Sequence, residues 1–243
     1  MATFVLVHGA WHGGWCWARV APRLRGAGHE VYTPTMTGFG ERNHLLSPDV
    51  GLELNITDIA NVLEWEDLND VILVAASYAG MVTTCVADRM LKRISALVYQ
   101  NAFIAADGVA QNDLLPDWRR EMIEKELAEA KDAWRMPAPA PKLIGVTDPG
   151  DAAWIETKMT PQSAKTFMDK ARLTGAHEAI TNRTYIRATG YPNSTFDRYL
   201  AEAEADPAWR AEVLETSHDA MITAADDIVR ILLEVADSTE RGA

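Results

Sequence analysis

The chain has 243 residues, 48% hydrophobic and 24% charged, which suits one large globular domain or a core domain carrying an insertion. Its 35 acidic and 23 basic side chains leave a net charge of −12, so the surface repels phosphate backbones and argues against nucleic acid and anionic membranes as partners. Cys16 and Cys85 stand far apart with no CxxC and no Cys/His cluster, which speaks against a disulfide framework or a zinc site and fits a reducing, cytoplasmic setting.

In chain order, the opening "MATFVLVHG" lacks a basic leader, and its apolar run is too short for a signal peptide core or a membrane span. Phe4–Val7 therefore reads as a first strand. A helical pattern over Trp17–Ala27 leads to a second strand at Glu30–Thr33. In "ITDIANVLEW", Ile56, Ile59, Val62 and Leu63 share one helical face. A third strand, Val71–Ala75, is followed by a helix over Met81–Leu91 and a fourth strand over Ala96–Gln100. These strands are continuous apolar runs, the pattern of a parallel sheet covered on both faces, and their alternation with helices predicts βαβ units.

The alternation stops near Ala105. Residues 105–182 are charged, helix-prone and proline-punctuated, including "DWRREMIEKELAEAKDAW" and "RMPAPAPKL". They are expected to form a helical cap inserted into a core made of residues 1–104 and 183–243. Strand signal returns at Thr184–Ala188 and, weakly, at Arg210–Glu215. A closing amphipathic helix, "DDIVRILLEVA", precedes a "STERGA" tail expected to fray. The fold class is α/β, a mostly parallel central sheet flanked by helices.

The candidate chemistry begins in "VILVAASYAGM". A nucleophile elbow places a serine on a sharp strand-to-helix turn with small residues two before and two after it, usually glycines. Here those positions are Ala75 and Ala79, and A-x-S-x-A read alone serves a buried structural serine equally well. Two other stretches favour Ser77 as a nucleophile. In "VLVHGAWHGGW" the first strand runs into His8-Gly9-Ala10, a small-residue loop able to turn an amide toward the site. Acyl transfer needs two such donors for the developing oxyanion, which nominates the amides of Ala10 and Tyr78. In "VLETSHDAMI", His218 follows the last strand, where an elbow enzyme with the chain order serine, acid, histidine carries its base.

These stretches, with "AGHEVYTPTMTGFGER", "LVYQNAF" and "RTYIRAT", make nearly the whole chain resemble the plant methylesterase and hydroxynitrile lyase branch of the α/β-hydrolase superfamily, especially its small bacterial esterase-like members. The resemblance implies an α/β-hydrolase fold and a serine esterase, a branch that also hosts lyases. Relatives read G-H-S-Y-G-G around the serine, whereas this chain reads Ala75-Ala76-Ser77-Tyr78-Ala79-Gly80. Plant members carry their acid just after the strand matching "TYIRA"; here Tyr191 stands near that place and Asp197 several residues later. Other hydrolases take the acid from the preceding strand end, where relatives read "LDAF" and this chain reads "QNAF". The third member is therefore read as Asn101, with Asp197 as the alternative; an asparagine can orient a histidine but carries no charge. Lyase relatives place a threonine after the first loop histidine and a lysine after the catalytic histidine, positions held here by Gly9 and Asp219.

Trp11, His12, Trp118, Met122 and Trp134 are expected to border the substrate pocket, with Met136 also available from the cap. His12 and His44 both lie in loops after core strands, and the plainer reading of each is a polar loop residue. "TGFGER" follows no dinucleotide fingerprint, and neither metal-ligand spacing nor a phosphate loop implies a cofactor. The expected partner is a small ester-like molecule, with a homodimer left open. The competing readings are a hydroxynitrile lyase-type C–C lyase and an attenuated or inactive binding protein with the same fold.

Overall fold

A computed structural model describes residues 1–129 and 132–242; Ala130 and Lys131 of the expected cap helix segment, and Ala243 of the tail, lie outside the described residues. The strands are β1 (Thr3–Val7), β2 (Glu30–Tyr32), β3 (Val71–Ala76), β4 (Ile94–Gln100), β5 (Arg135–Met136), β6 (Gln162–Ser163), β7 (Arg183–Ala188) and β8 (Trp209–Leu214). Six of them form one sheet in the order β2-β1-β3-β4-β7-β8, with every neighbouring pair parallel. β5 and β6 pair antiparallel as a separate two-residue ladder. All six sheet strands meet the sequence expectation within two residues at either end.

The helices are α1 (Ala21–Gly26), α2 (Leu52–Trp65), α3 (Ala79–Arg89), α4 (Asp117–Glu129), α5 (Pro149–Lys158), α6 (Lys165–Met168), α7 (Ser194–Ala205), α8 (Ala220–Thr223) and α9 (Ala225–Gly242). α1 starts later than the helix expected from Trp17, because Gly14–Trp17 is a short 3-10 turn and the proline at Pro22 sits in the first turn of α1. α9 carries the chain through Gly242, so the tail from Ser238 to Gly242 is helical where fraying was expected. None of the helices among the described residues is long and apolar enough to cross a membrane.

Alternation along β3 explains its unbroken apolar run. Val71, Leu73 and Ala75 join the core beneath α2, α3 and α7, while Ile72, Val74 and Ala76 join the core beneath α1 and α9. On the second side, Ile228, Ile231, Leu232 and Val235 of α9 are completely or almost completely buried. Each such side chain contributes about 1.5–3 kcal/mol of gross apolar burial.

Chain order reverses direction in the sheet at β1, which has β2 on one side and β3 on the other. In open parallel sheets, ligands bind beyond the carboxyl ends of the strands near such a reversal. The loops that leave β1, β3, β4, β7 and β8 all emerge at that edge, carrying residues 8–12, 77, 101, 189–193 and 217–219.

Candidate active site

Ser77 ends β3 with φ = 54°, a left-handed backbone that a non-glycine residue adopts only when its surroundings enforce it. Here they do. The Ser77 amide donates to the Gln100 carbonyl (3.2 Å), and the Ser77 carbonyl accepts from the amides of Gly80 and Phe103 (both 3.1 Å). The turn brings α3 so close to the chain after β4 that a Cβ on Gly80 would lie 1.8 Å from the Phe103 carbonyl oxygen. Ala75 and Ala79 are fully buried in the same core, so the elbow accommodates both methyl groups. Gly9 abuts the serine, since a Cβ there would fall 2.9 Å from Ser77 Cβ.

The loop after β1 is held by two histidines in contrasting hydrogen-bond environments. His8 donates through Nδ1 to the Gly9 carbonyl (2.8 Å) and accepts at Nε2 from the Met36 amide (3.0 Å). One donor and one acceptor make it a neutral imidazole, and burial lowers its pKa to about 3. Because a trans peptide points its C=O and N–H in opposite directions, fixing the Gly9 carbonyl also fixes the Ala10 amide. His12 donates through Nδ1 to the Ala10 carbonyl (2.7 Å) and through Nε2 to Asp219 (3.0 Å). Burial opposes charge on both partners, yet the Asp219 carboxylate raises the His12 pKa and His12 lowers that of Asp219. The next amide, of Trp11 at φ = 63°, donates to Gln162 Oε1 (3.0 Å).

Asp219→Asn would leave His12 without its carboxylate partner in this buried site. The expected cost is about 3–5 kcal/mol, or a melting temperature lower by roughly 6–20 °C, with part of it recovered on adding His12→Gln. Thermal melts of the single and double variants check this; an unchanged single variant would contradict a buried ion pair.

His218 packs against the mutually touching rings of Tyr191 and Phe196, whose centroids lie 4.7 and 5.7 Å from its own, the Phe196 ring at 6° to the imidazole. Its amide donates to the Ile144 carbonyl (3.0 Å), and its carbonyl accepts from Gln100 Nε2 (2.8 Å). Burial lowers its pKa to about 4, partly offset by the Asp219 charge, so the ring is neutral at pH 7.

The second nitrogen of His218 meets Asn101, at 3.1 Å between Nδ1 and the amide nitrogen Nδ2. Asn101, at φ = 44°, cannot turn its amide over. Its Oδ1 accepts from the Ala188 amide (2.9 Å) and from Arg187 Nη1 (3.1 Å), while Nδ2 donates to the Ala188 carbonyl (3.1 Å). A flipped amide would set donors against donors and an oxygen against an oxygen. Nδ2 therefore donates to His218 Nδ1, and the neutral imidazole carries its proton on Nε2. Arg187, 2% exposed, extends the chain to Asp197 through Nε (2.8 Å). Asp197, the alternative third member, thus reaches His218 only through Arg187 and Asn101, and it pairs with Arg187 instead.

Ser77, His218, Ala10, Trp11, His12, Trp118 and Met122 line one pocket, together with Gly9, Gln111 and Arg119. Trp134 does not join them. It sits at the turn into β5, where its carbonyl accepts from the Ala164 amide (2.7 Å). Met136 is buried in the core and His44 is exposed. Tyr78 turns its ring inward, its hydroxyl donating to Asn55 Oδ1 (2.9 Å), while its backbone opens the first turn of α3. Among the described residues no group of three or more His, Cys, Asp or Glu is placed to hold a metal. Gln100, Gln162, Arg187 and the His12–Asp219 pair went unassigned in the sequence reading.

A family model described as alpha/beta hydrolase family matches residues 4–231. A carbendazim hydrolyzing esterase of Nocardioides sp. (strain SG-4G) is 40% identical over 241 residues, covering 96% of this chain and 98% of that protein. An alpha-hydroxynitrile lyase of Arabidopsis thaliana is 32% identical over 102 residues, 42% of this chain and 40% of the other. Among solved structures, an extracellular alpha/beta-hydrolase from a Paenibacillus species aligns over 97% of this chain and 99% of its own, with a TM-score of 0.85 and 22% identity, a likeness of fold.

Proposed function

The chain belongs to the alpha/beta hydrolase family, and from that premise we propose that it hydrolyses small esters, carbamate esters included, through an acyl-enzyme on Ser77. The observation that carries the reading is Ser77 at φ = 54° beyond β3, with Gly9 against its Cβ and His218 lining the same pocket. The similarity to an esterase named for carbendazim supports the carbamate part of it.

In the proposed reaction, Ser77 Oγ bonds to the carbonyl carbon while its proton passes to His218. The amides of Ala10 and Tyr78 donate to the oxyanion, the first fixed by His8 and the second at the positive end of α3. Collapse breaks the bond to the leaving oxygen, which takes the proton from His218. Water, deprotonated by His218, then releases the acyl group. Residues 105–182 act as the cap, setting Leu115, Trp118, Met122 and Phe167 over the serine.

Asn101 makes the base weak. Accepting the serine proton at Nε2 requires the Nδ1–H tautomer, and that proton would face the Asn101 N–H. The attenuated member of the competing readings is therefore built into this one: an esterase whose rate is held down at its third residue. Lyase chemistry fits less well, because Asp219 places a carboxylate, already bonded to His12, where that branch has lysine.

Intact-mass measurement after treatment with a fluorophosphonate should find one adduct per chain, on Ser77, absent in Ser77→Ala and suppressed in His218→Ala. A folded protein that forms no adduct over prolonged exposure would refute the serine mechanism.

A further inference from the structure

Two of the pocket's polar side chains each carry a buried atom with no hydrogen-bond partner. Arg119, in the first turn of α4, is 7% exposed, and Gln111, in the turn before α4, is 2% exposed. Arg119 Nη1 is sealed from solvent without a hydrogen-bond partner; the nearest carboxylate oxygen, of Glu126, is 3.9 Å away. Gln111 Oε1 is likewise sealed and unpartnered. The Arg119 guanidinium lies 5.8 Å from the Trp11 ring centroid, so it faces the wall beside the oxyanion loop. A buried guanidinium nitrogen or amide oxygen without a partner is costly, and a ligand that bonds it removes that cost.

We infer that Arg119 and Gln111 select the substrate, binding a neutral planar group that presents a hydrogen-bond acceptor beside a donor, as a carboxamide, urea or amino-heteroaromatic edge does. This rests on the proposed function, since it describes the portion of the ester remote from Ser77. Two features favour a neutral edge over an anion. Glu126 already balances part of the Arg119 charge, leaving hydrogen bonds rather than charge unmet. The unpartnered Gln111 Oε1 is an acceptor and needs a donor, whereas a carboxylate offers only acceptors. The remaining cap surface is apolar, with Leu115, Trp118, Met122 and Phe167 providing flat contact for a ring. A site that hydrogen-bonds its substrate rejects analogues lacking those groups far more strongly than an apolar pocket rejects a change of size.

Calorimetric binding of benzamide, benzoate and toluene tests this without turnover, so a failure of the serine chemistry leaves the result readable. The wild-type protein is expected to bind benzamide at least about tenfold more tightly than either toluene or benzoate. Arg119→Met should remove about tenfold of benzamide affinity and leave toluene unchanged; Gln111→Leu should act in the same direction. Should Arg119→Met not fold, Arg119→Lys, which keeps the charge but not the planar fork, should reduce the benzamide preference while sparing toluene. Equal losses for benzamide and toluene would make Arg119 a packing partner of Trp11 and overturn the proposal. So would tighter binding of benzoate, which marks an anion site, or the absence of any benzamide preference.

Discussion

Asn101→Asp is expected to raise kcat/KM for a short-chain p-nitrophenyl ester by about 10²–10⁴-fold, the reverse of the loss that follows when a triad aspartate becomes asparagine and holds the histidine in the wrong tautomer. A carboxylate at position 101 would accept His218 Nδ1–H, freeing Nε2 to take the serine proton. It would keep the bonds from the Ala188 amide and Arg187 that the Asn101 oxygen now receives. Its second oxygen would face the Ala188 carbonyl, an unfavourable contact that the buried Arg187 cation offsets. The pH profile should move with the rate. In the natural protein His218 is the free base above about 4, so the acid limb of kcat/KM lies near pH 4. Beside the introduced carboxylate the imidazolium is stabilised, the pKa rises, and the limb shifts toward higher pH. A folded variant with unchanged rate and unchanged limb would show that Asn101 does not control the base.

The second large effect depends on the first. Ser77→Ala in the natural chain should lower kcat by only about 10²-fold, whereas in the Asn101→Asp background it should lower it by about 10⁶-fold. Triad members act as a unit: removing the serine or histidine of an intact triad costs about 10⁶, and losing the acid alone costs about 10⁴. A chain that already lacks the charged acid has only the remainder left to lose. The four rates of this cycle separate a tautomer-blocked triad from a serine that never acts as the nucleophile. Equal losses in both backgrounds would refute the coupling, and no loss in either would refute the serine.

Much of the fold was legible because the inner strands β1, β3 and β4 had to be apolar on both faces; β3 announces itself by six consecutive small or aliphatic residues. Ser77 and His218 were legible as candidates because an elbow needs small neighbours and a base is expected after the last strand, and both line one pocket. Asn101 could be read only by comparison with relatives. Which way its amide points depends on the backbone of Ala188 and on Arg187, 87 and 86 residues away along the chain. The same distance in sequence hid the His12–Asp219 pair, whose partners are 207 residues apart. Trp134 was misplaced for a related reason. Hydrophobic composition marks a side chain as a candidate for any apolar surface, and only the path of the chain around β5 decides which one.

The contact between Gly9 and Ser77 bears on how this protein can change its chemistry. The lyase branch carries a threonine at the place of Gly9, yet a first side-chain carbon there would press to 2.9 Å on Ser77 Cβ. Both atoms belong to stiff turns, each bound to its neighbours, so neither can swing aside like the tip of a long side chain. A side chain at position 9 therefore requires a displacement of main chain around Ser77. Single substitutions tried in this background would be met first as a folding defect, and a route from one activity to the other would have to begin by loosening the turn around Ser77.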